Sequence, residues 1–312
     1  MRDEFPVFSD PVPPGGYRWW YVDASNADAS RNLVVIAFIG SVFSPFFARA
    51  NRRGPADPLD FCALNVALYR RRGKQWVMTE FDRADVAVGE RSLKLGRSRL
   101  DWDGERLTIE IAERTAPLRR PVAGLVTVTP TVRQPREFAI DPRGRHRWWP
   151  VAPHARVDVD FATPAWRWSG AGYFDSNRGD EPLADGFVDW DWSRRHTDAG
   201  TEIRYNARPR QGPPTALALT IDQRGQAHEA AAAPPLRLPA SGWRVARTTA
   251  SAAQLERVRT LEDTPFYARS IVHVGDDPAP LMHESLSLQR FDSAWVQRLI
   301  PFRMRPFFRA NP

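Results

Sequence analysis

The sequence predicts an all-β protein built from two antiparallel sheets, on three observations. Short runs alternate apolar and polar residues with period two, as strands with one buried face do; turn signals close nearly every run; and helical periodicity is almost absent. Many short strands with polar turns point to barrels or sandwiches, and barrels that enclose one apolar ligand belong to this class.

Each run can be justified in order. CALNVALYRRRGKQWVMTEF reads as two strands joined at Gly73. RSLKLGRSRLDWDGERLTIEIAE reads as a further set, with Asp103-Gly104 as a two-residue hairpin signal. VAGLVTVTP continues the meander. VDWDWSRRHTDAGTEIRYNAR, TALALTIDQRGQAHEA, ARSIVHVGD and LMHESLSLQRF repeat the style as a second sheet. HEAAAAPPLRLPASG breaks the alternation and reads as a loop. A chain of 312 residues is long for one domain. The division is expected at 178/179, giving an N-terminal domain over 1–178 and a C-terminal one over 179–312.

Composition narrows the function. Forty-four basic residues against 37 acidic ones give +7, which favours an anionic partner. The arginines are scattered, with no basic helix, finger pattern or RNA-reading motif, so nucleic acid is not the expected partner. The one cysteine, Cys62, excludes an internal disulfide and reads as a small core residue. MRDEFPVFSDPVPPGG has neither a basic start nor an apolar stretch, so nothing marks the chain for export and it reads as intracellular. LVVIAFIGSVFSPFF, Leu33–Phe47, is too short and too interrupted to span a bilayer. The tail, SAWVQRLIPFRMRPFFRANP, mixes Trp295, Leu299, Ile300, Phe302, Phe307 and Phe308 with Arg298, Arg303, Arg305 and Arg309. It reads either as a segment docked on the protein with arginines in water or as an interfacial one, where Leu33–Phe47 could contribute to the same surface.

Familiar catalytic signatures are missing: no nucleophile elbow, phosphate-cradling loop, dinucleotide fingerprint or HExxH. No cofactor is indicated. His146, His154, His196, His228, His273 and His283 are dispersed, so no metal site is indicated. What remains is a carboxylate among aromatics. RHRWWP supplies His146 and Trp148, AWRWSG supplies Trp166 and Trp168, and GYFDSNRGDEP supplies Tyr173 and Asp175. His146 and Trp148 are two positions apart, as are Tyr173 and Asp175, so alternation puts each pair on one strand face.

A carboxyl group desolvated in such a pocket can keep its proton near neutral pH and act as a general acid. Ring faces nearby would attract a developing cation. Together they suit protonation of an alkene. The same residues admit a plain structural reading, with Asp175 as a turn or cap residue, His146 on a backbone carbonyl and the tryptophans as core. Asp180, Glu181, Asp189 and Asp191 are rivals for the acid role, placed lower because polar neighbours keep carboxylates ionised. Arg178 with Asp180 reads as an ion pair, and Asp189 and Asp191 alternate with Trp190 and Trp192 as on a half-buried strand.

GYRWWYVDA, FIGSVFSPFF, RRGPADPLDFCALNVALY, RHRWWP, RWSGAGYFDSNRGDEPL and WVQRLIPFRMR, taken in order from about Gly16 to Arg305, resemble the bacterial carotenoid 1,2-hydratase family, also called hydroxyneurosporene synthases. The resemblance implies two packed lipocalin-like β-barrel domains. It implies cofactor-independent addition of water to the terminal C1–C2 double bond of acyclic carotenoids such as neurosporene and lycopene, giving a tertiary alcohol. It also implies His146, Trp148, Tyr173 and Asp175 as the catalytic positions. A substrate that partitions into lipid further implies a cytoplasmic protein held peripherally on the membrane. A non-catalytic carotenoid or isoprenoid carrier and an acid-catalysed isoprenoid cyclase are the alternatives the residues leave open.

Overall fold

A computed structural model describes residues 7–230, 233–275, 279–302 and 304. Arg303, Arg305, Phe307, Phe308 and Arg309 of the tail lie outside the described residues. The chain forms two compact units: the described parts of residues 1–136, 148–182 and 298–312, and those of residues 137–147 and 183–297. As expected, the fold is mostly β, with few and short helices.

The first unit begins with β1 (Tyr17–Ser25), β2 (Asn32–Ile39), the helix α1 (Pro45–Asn51), β3 (Cys62–Tyr69) and β4 (Lys74–Phe81). Ser44 starts α1 by accepting from the Phe46 and Phe47 amides. Then come β5 (Val86–Val88), β6 (Ser92–Leu95), β7 (Ser98–Trp102), β8 (Leu107–Arg114) and β9 (Pro121–Val132). The short β10 (Phe138–Ala139), which belongs to the second unit, pairs with β11 (His146–Thr163), whose first two residues also belong there, and β12 (Trp166–Gly179) follows. The strands run in the order β4-β3-β2-β1-β12-β11-β9-β8-β7-β6-β5.

Side chains draw the open edges of this sheet toward a barrel. On β4 the Thr79 hydroxyl donates to Glu113 Oε2 of β8 at 2.6 Å, and Ser98 of β7 donates to Glu113 Oε1 at 2.7 Å. Glu113 is buried, so both its oxygens need such donors. The hairpin expected at Asp103-Gly104 forms with Gly104 and Glu105 at its tip: the Asp103 amide donates to the Arg106 carbonyl, and Asp103 Oδ1 accepts from the Glu105 and Arg106 amides.

Burial follows the sequence pattern in one part of the sheet and departs from it in another. β7 and β8 alternate buried and exposed residues, whereas β1, β2 and β3 are buried on both faces nearly throughout. Trp20, Val35, Leu64, Trp102, Phe161 and Phe174 belong to one continuous cluster that fills the barrel interior. Cys62 is part of it, its thiol pushed up to about 12 by burial. Leu33–Ile39 lies within β2, which is buried along its whole length, so this part of the Leu33–Phe47 run cannot face a bilayer as entertained above. Among the described residues no helix is long and apolar enough to cross a membrane.

The second unit carries the helical turn α2 (Leu183–Gly186), β13 (Phe187–Thr197), β14 (Gly200–Pro209), β15 (Thr215–Ile221), β16 (Ala227–Glu229), β17 (Pro235–Arg237), β18 (Thr248–Ala250), β19 (Leu255–Asp263), β20 (Tyr267–Val274), β21 (Leu281–Ser287), α3 (Leu288–Phe291) and α4 (Ala294–Leu299). Seven of its strands form a sheet in the order β16-β15-β14-β13-β21-β20-β19, and β17 pairs with β18. The HEAAAAPPLRLPASG stretch, expected to be a loop, thus contributes two short strands: Pro235–Arg237 finds a partner distant in sequence, which a local reading cannot foresee. In α4, Trp295 stacks on Trp243 at 6.1 Å while Val296 is buried.

Candidate active site

The GYFDSN stretch lies in β12, where alternation sends Phe174 into the barrel core and Tyr173 and Asp175 to the opposite face. The neighbouring β11 splits its two tryptophans in the same way. Trp149 packs against the core cluster, and Trp148 points outward to join Tyr173 and Asp175. Trp148 Nε1 is 3.0 Å from Asp175 Oδ2 and 3.1 Å from Tyr173 Oη, and the Tyr173 hydroxyl donates to Asp175 Oδ2 at 2.8 Å. Trp148 and Tyr173 have no exposed surface, and Asp175 is 5% exposed.

Two donors therefore meet on one carboxyl oxygen inside a water-poor face of the sheet. Burial, and after it the Asp175 charge, raise the Tyr173 phenol well above its ordinary value, so the phenol keeps its hydrogen and remains a donor. Three of the four sequence-predicted site residues are thus brought together, outside the barrel interior.

Strand β1 completes the floor with residues to which the sequence assigned no role. Its register sets Tyr21 opposite Asp175 and Asp23 opposite Tyr173. The Tyr21 ring meets Tyr173 edge-on at 6.3 Å, and Asp23 is fully buried. On β2, Val34, Ile36 and Phe38 face the same way beside Asp23, Tyr21 and Trp19. The available signal was the Trp19, Tyr21, Asp23 alternation within GYRWWYVDA. That alternation marks a strand face but not the strand opposite.

His146 belongs to the second unit. It is fully buried, its backbone amide donates to Asp141 Oδ1 at 2.7 Å, and its ring packs on Phe187 at 4.7 Å. Gly186 makes room for it: a Cβ there would fall 2.2 Å from His146 Nε2.

The rival carboxylates divide. Asp180 is exposed, and Asp189 is held by Arg208. Asp191 departs from expectation. Instead of remaining ionised among polar neighbours, it is pushed up to about 7, chiefly by burial. It accepts from the Ser285 hydroxyl and the Thr248 amide. His283 lies 3.7 Å from it, fully buried and pushed down to about 4 by that burial. This imidazole donates from Nε2 to the Thr248 carbonyl at 3.1 Å, since a carbonyl can only accept. Trp190 and Trp192, which flank Asp191, are buried on the other face of β13, as the alternation predicted. Among the described residues no group of three or more His, Cys, Asp or Glu is placed to hold a metal ion.

Comparison with known proteins adds a second line of observation. A family model described as carotenoid hydratase CrtC matches residues 35–309. An acyclic carotenoid 1,2-hydratase of Thiocapsa roseopersicina is 50% identical over 304 residues, covering 96% of this chain and 75% of that protein. One of Rubrivivax gelatinosus is 42% identical over 308 residues, with the same coverage of 96% and 75%. Among solved structures, a putative AttH from Nitrosomonas europaea superposes with a TM-score of 0.61 at 16% identity, covering 91% of this chain and 99% of that one. CghA does so with a TM-score of 0.53 at 12% identity, covering 92% and 95%. At such identities the structural likeness concerns the fold alone.

Proposed function

This chain belongs to the carotenoid hydratase family, and on that premise we propose a cofactor-independent, acid-catalysed hydration of the terminal C1–C2 double bond of an acyclic carotenoid, with Asp175 as the acid. The supporting observation is the convergence of the Trp148 N–H and the Tyr173 O–H on Asp175 Oδ2 in a buried face. With both donors on Oδ2, the transferable proton sits on Oδ1. Delivery to C2 of the alkene leaves a tertiary cation at C1, preferred over a secondary one, and a carboxylate whose charge the same two donors stabilise. Water adds at C1 and gives up a proton, which returns the acid to its starting form. Atoms balance as one water gained.

The ring faces of Trp148 and Tyr173 supply negative quadrupole density to the cation in a water-poor site, an interaction of roughly 2 kcal/mol per ring. His146, two positions before Trp148 on β11, is assigned the tuning or reloading of the acid on the strength of the family resemblance. The substrate partitions into lipid, so we place the protein at the cytoplasmic side of the inner or intracytoplasmic membrane, attached peripherally.

The test is incubation of purified protein with lycopene in detergent and isotopically labelled water. Labelled oxygen in a tertiary alcohol supports hydration. Unchanged lycopene would indicate a carrier and an isomer of unchanged mass a cyclase; either overturns the proposal.

A further inference from the structure

We infer that one end of the first barrel docks on an anionic phospholipid bilayer and seats a lipid phosphate among Arg31, Arg70 and Arg71. The β1–β2, β3–β4, β8–β9 and β11–β12 turns share this end, because Ser25 pairs with Asn32, Asn32 with Tyr69, Tyr69 with Lys74, Arg114 with Pro121, and Thr163 with Ala123. The first two turns carry Arg31, Arg70, Arg71, Arg72 and Lys74 against one carboxylate, Asp28. All five cations are exposed. Asp28 pairs with Arg71 at 3.8 Å between two well-exposed side chains, a contact that neutralises little.

Between these turns lies an open pocket of about 290 Å³ lined by Ser30, Arg31, Arg70, Arg71, Ala165 and Trp166. Neighbours hold its arginines in place: Arg31 Nη1 donates to the Arg167 carbonyl at 3.1 Å, and the Arg70 guanidinium stands 5.8 Å from the centre of the Trp166 ring. Planar guanidiniums presented in this way suit the oxygens of a phosphate.

The β8–β9 turn decides between a bilayer and a nucleic acid. Its tip presents Leu118, 68% exposed, between Arg114 on one side and Arg119 and Arg120 on the other. The loop is pinned rather than loose. The Arg119 amide donates to the Thr115 carbonyl, the Thr115 amide to the Arg120 carbonyl, the Arg120 amide to Thr115 Oγ1, and Arg114 Nη1 to the Arg119 carbonyl. An aliphatic side chain held outward among cations matches the headgroup–acyl boundary and has no counterpart in a nucleic-acid backbone.

The proposal deepens the hydratase reading, because a lipid-held substrate must be collected at a membrane, yet its test is independent of turnover. Full-length protein is sedimented with phosphatidylglycerol or phosphatidylcholine vesicles, with thermal unfolding as the folding control. Binding should require phosphatidylglycerol and weaken with salt. Arg71→Glu with Arg72→Glu should lower partitioning roughly 25-fold or more, at about fivefold per arginine near an anionic surface. Leu118→Asp should lower it about tenfold. The matched reversal Arg52→Glu with Arg53→Glu, on exposed residues just after α1 in the β2–β3 connection at the other barrel end, should leave it unchanged. Turnover of detergent-presented carotenoid should survive all of these changes, while turnover from vesicles falls in the Arg71/Arg72 and Leu118 variants and not in the Arg52/Arg53 variant. Equal binding to phosphatidylcholine, undiminished binding of the Arg71/Arg72 variant, or an equal loss in the Arg52/Arg53 variant overturns the docking surface. Displacement by inorganic phosphate at matched ionic strength would assign the pocket to free phosphate, and equally tight, variant-sensitive binding to duplex RNA would assign the surface to nucleic acid; either overturns it. Absence of product in both presentations would count against the hydratase reading and leave the vesicle result standing.

Discussion

Tyr173 and Asp175 are two residues apart on one strand, and the fully buried phenol of the first donates directly to Oδ2 of the second at 2.8 Å. Strand geometry alone brings such a pair to one face. The bond then ties the fate of the carboxyl proton to the phenol beside it.

Asp175→Asn keeps the shape and removes the transferable proton. General acid catalysis contributes about 10²- to 10⁴-fold, so turnover of lycopene is expected to fall by at least about 10²-fold while the thermal unfolding midpoint stays near wild type. Undiminished turnover in the Asp175→Asn enzyme would refute the assignment.

Tyr173→Phe retains the ring and deletes the O–H donor. Hydrogen bonds to charged groups are worth about 1.5–3 kcal/mol, so a drop of roughly 10- to 100-fold in kcat is expected with KM little changed. A rise in KM at constant kcat would make Tyr173 a substrate-binding residue instead.

Asp191→Asn separates the two buried carboxyls. Asp191 is pushed up to about 7 by burial, and its neighbours Ser285, Thr248 and His283 are all in the second unit. Turnover should remain close to wild type in this variant. A loss comparable to that of Asp175→Asn would move the acid to β13.

Glu80 on β4 supplies a stability signature. Burial pushes its carboxyl from 4.5 up to about 7, against a smaller opposing effect of Ser44. Because the folded value lies above the unfolded one, its contribution is intact below about 4.5 and is lost as pH rises through about 7. That loss is of the order of 3 kcal/mol. Glu80→Gln should remove this part of the decline, seen as a flatter denaturant midpoint between pH 5 and 8. A decline as steep as wild type would exclude Glu80 as its source.

Gly186→Ala tests the seat of His146. A Cβ 2.2 Å from Nε2 forces the imidazole or the α2 turn to move, at about 1–3 kcal/mol of stability. If His146 reloads the acid, the pH dependence of turnover should change as well. Lowered stability with an unaltered pH profile would reduce His146 to a packing residue.

Much of this was legible in the chain. Alternation in CALNVALY, RSLKLGRSRLDW and ERLTIEIAE marked strands, Asp103 and Gly104 marked a turn, and the i, i+2 spacing of Tyr173 and Asp175 marked a shared face, because each depends on backbone geometry over a few residues. The arrival of Trp148 on that face 27 residues away, the placement of Tyr21 and Asp23 beneath it, the pairing of Pro235–Arg237 with Thr248–Ala250 and the burial of Asp191 were settled only by tertiary structure. Which strand lies beside which, and whether a polar side chain is left in water, depend on the packing of the whole sheet. A carboxylate takes its chemistry from that packing more than from its neighbours in sequence.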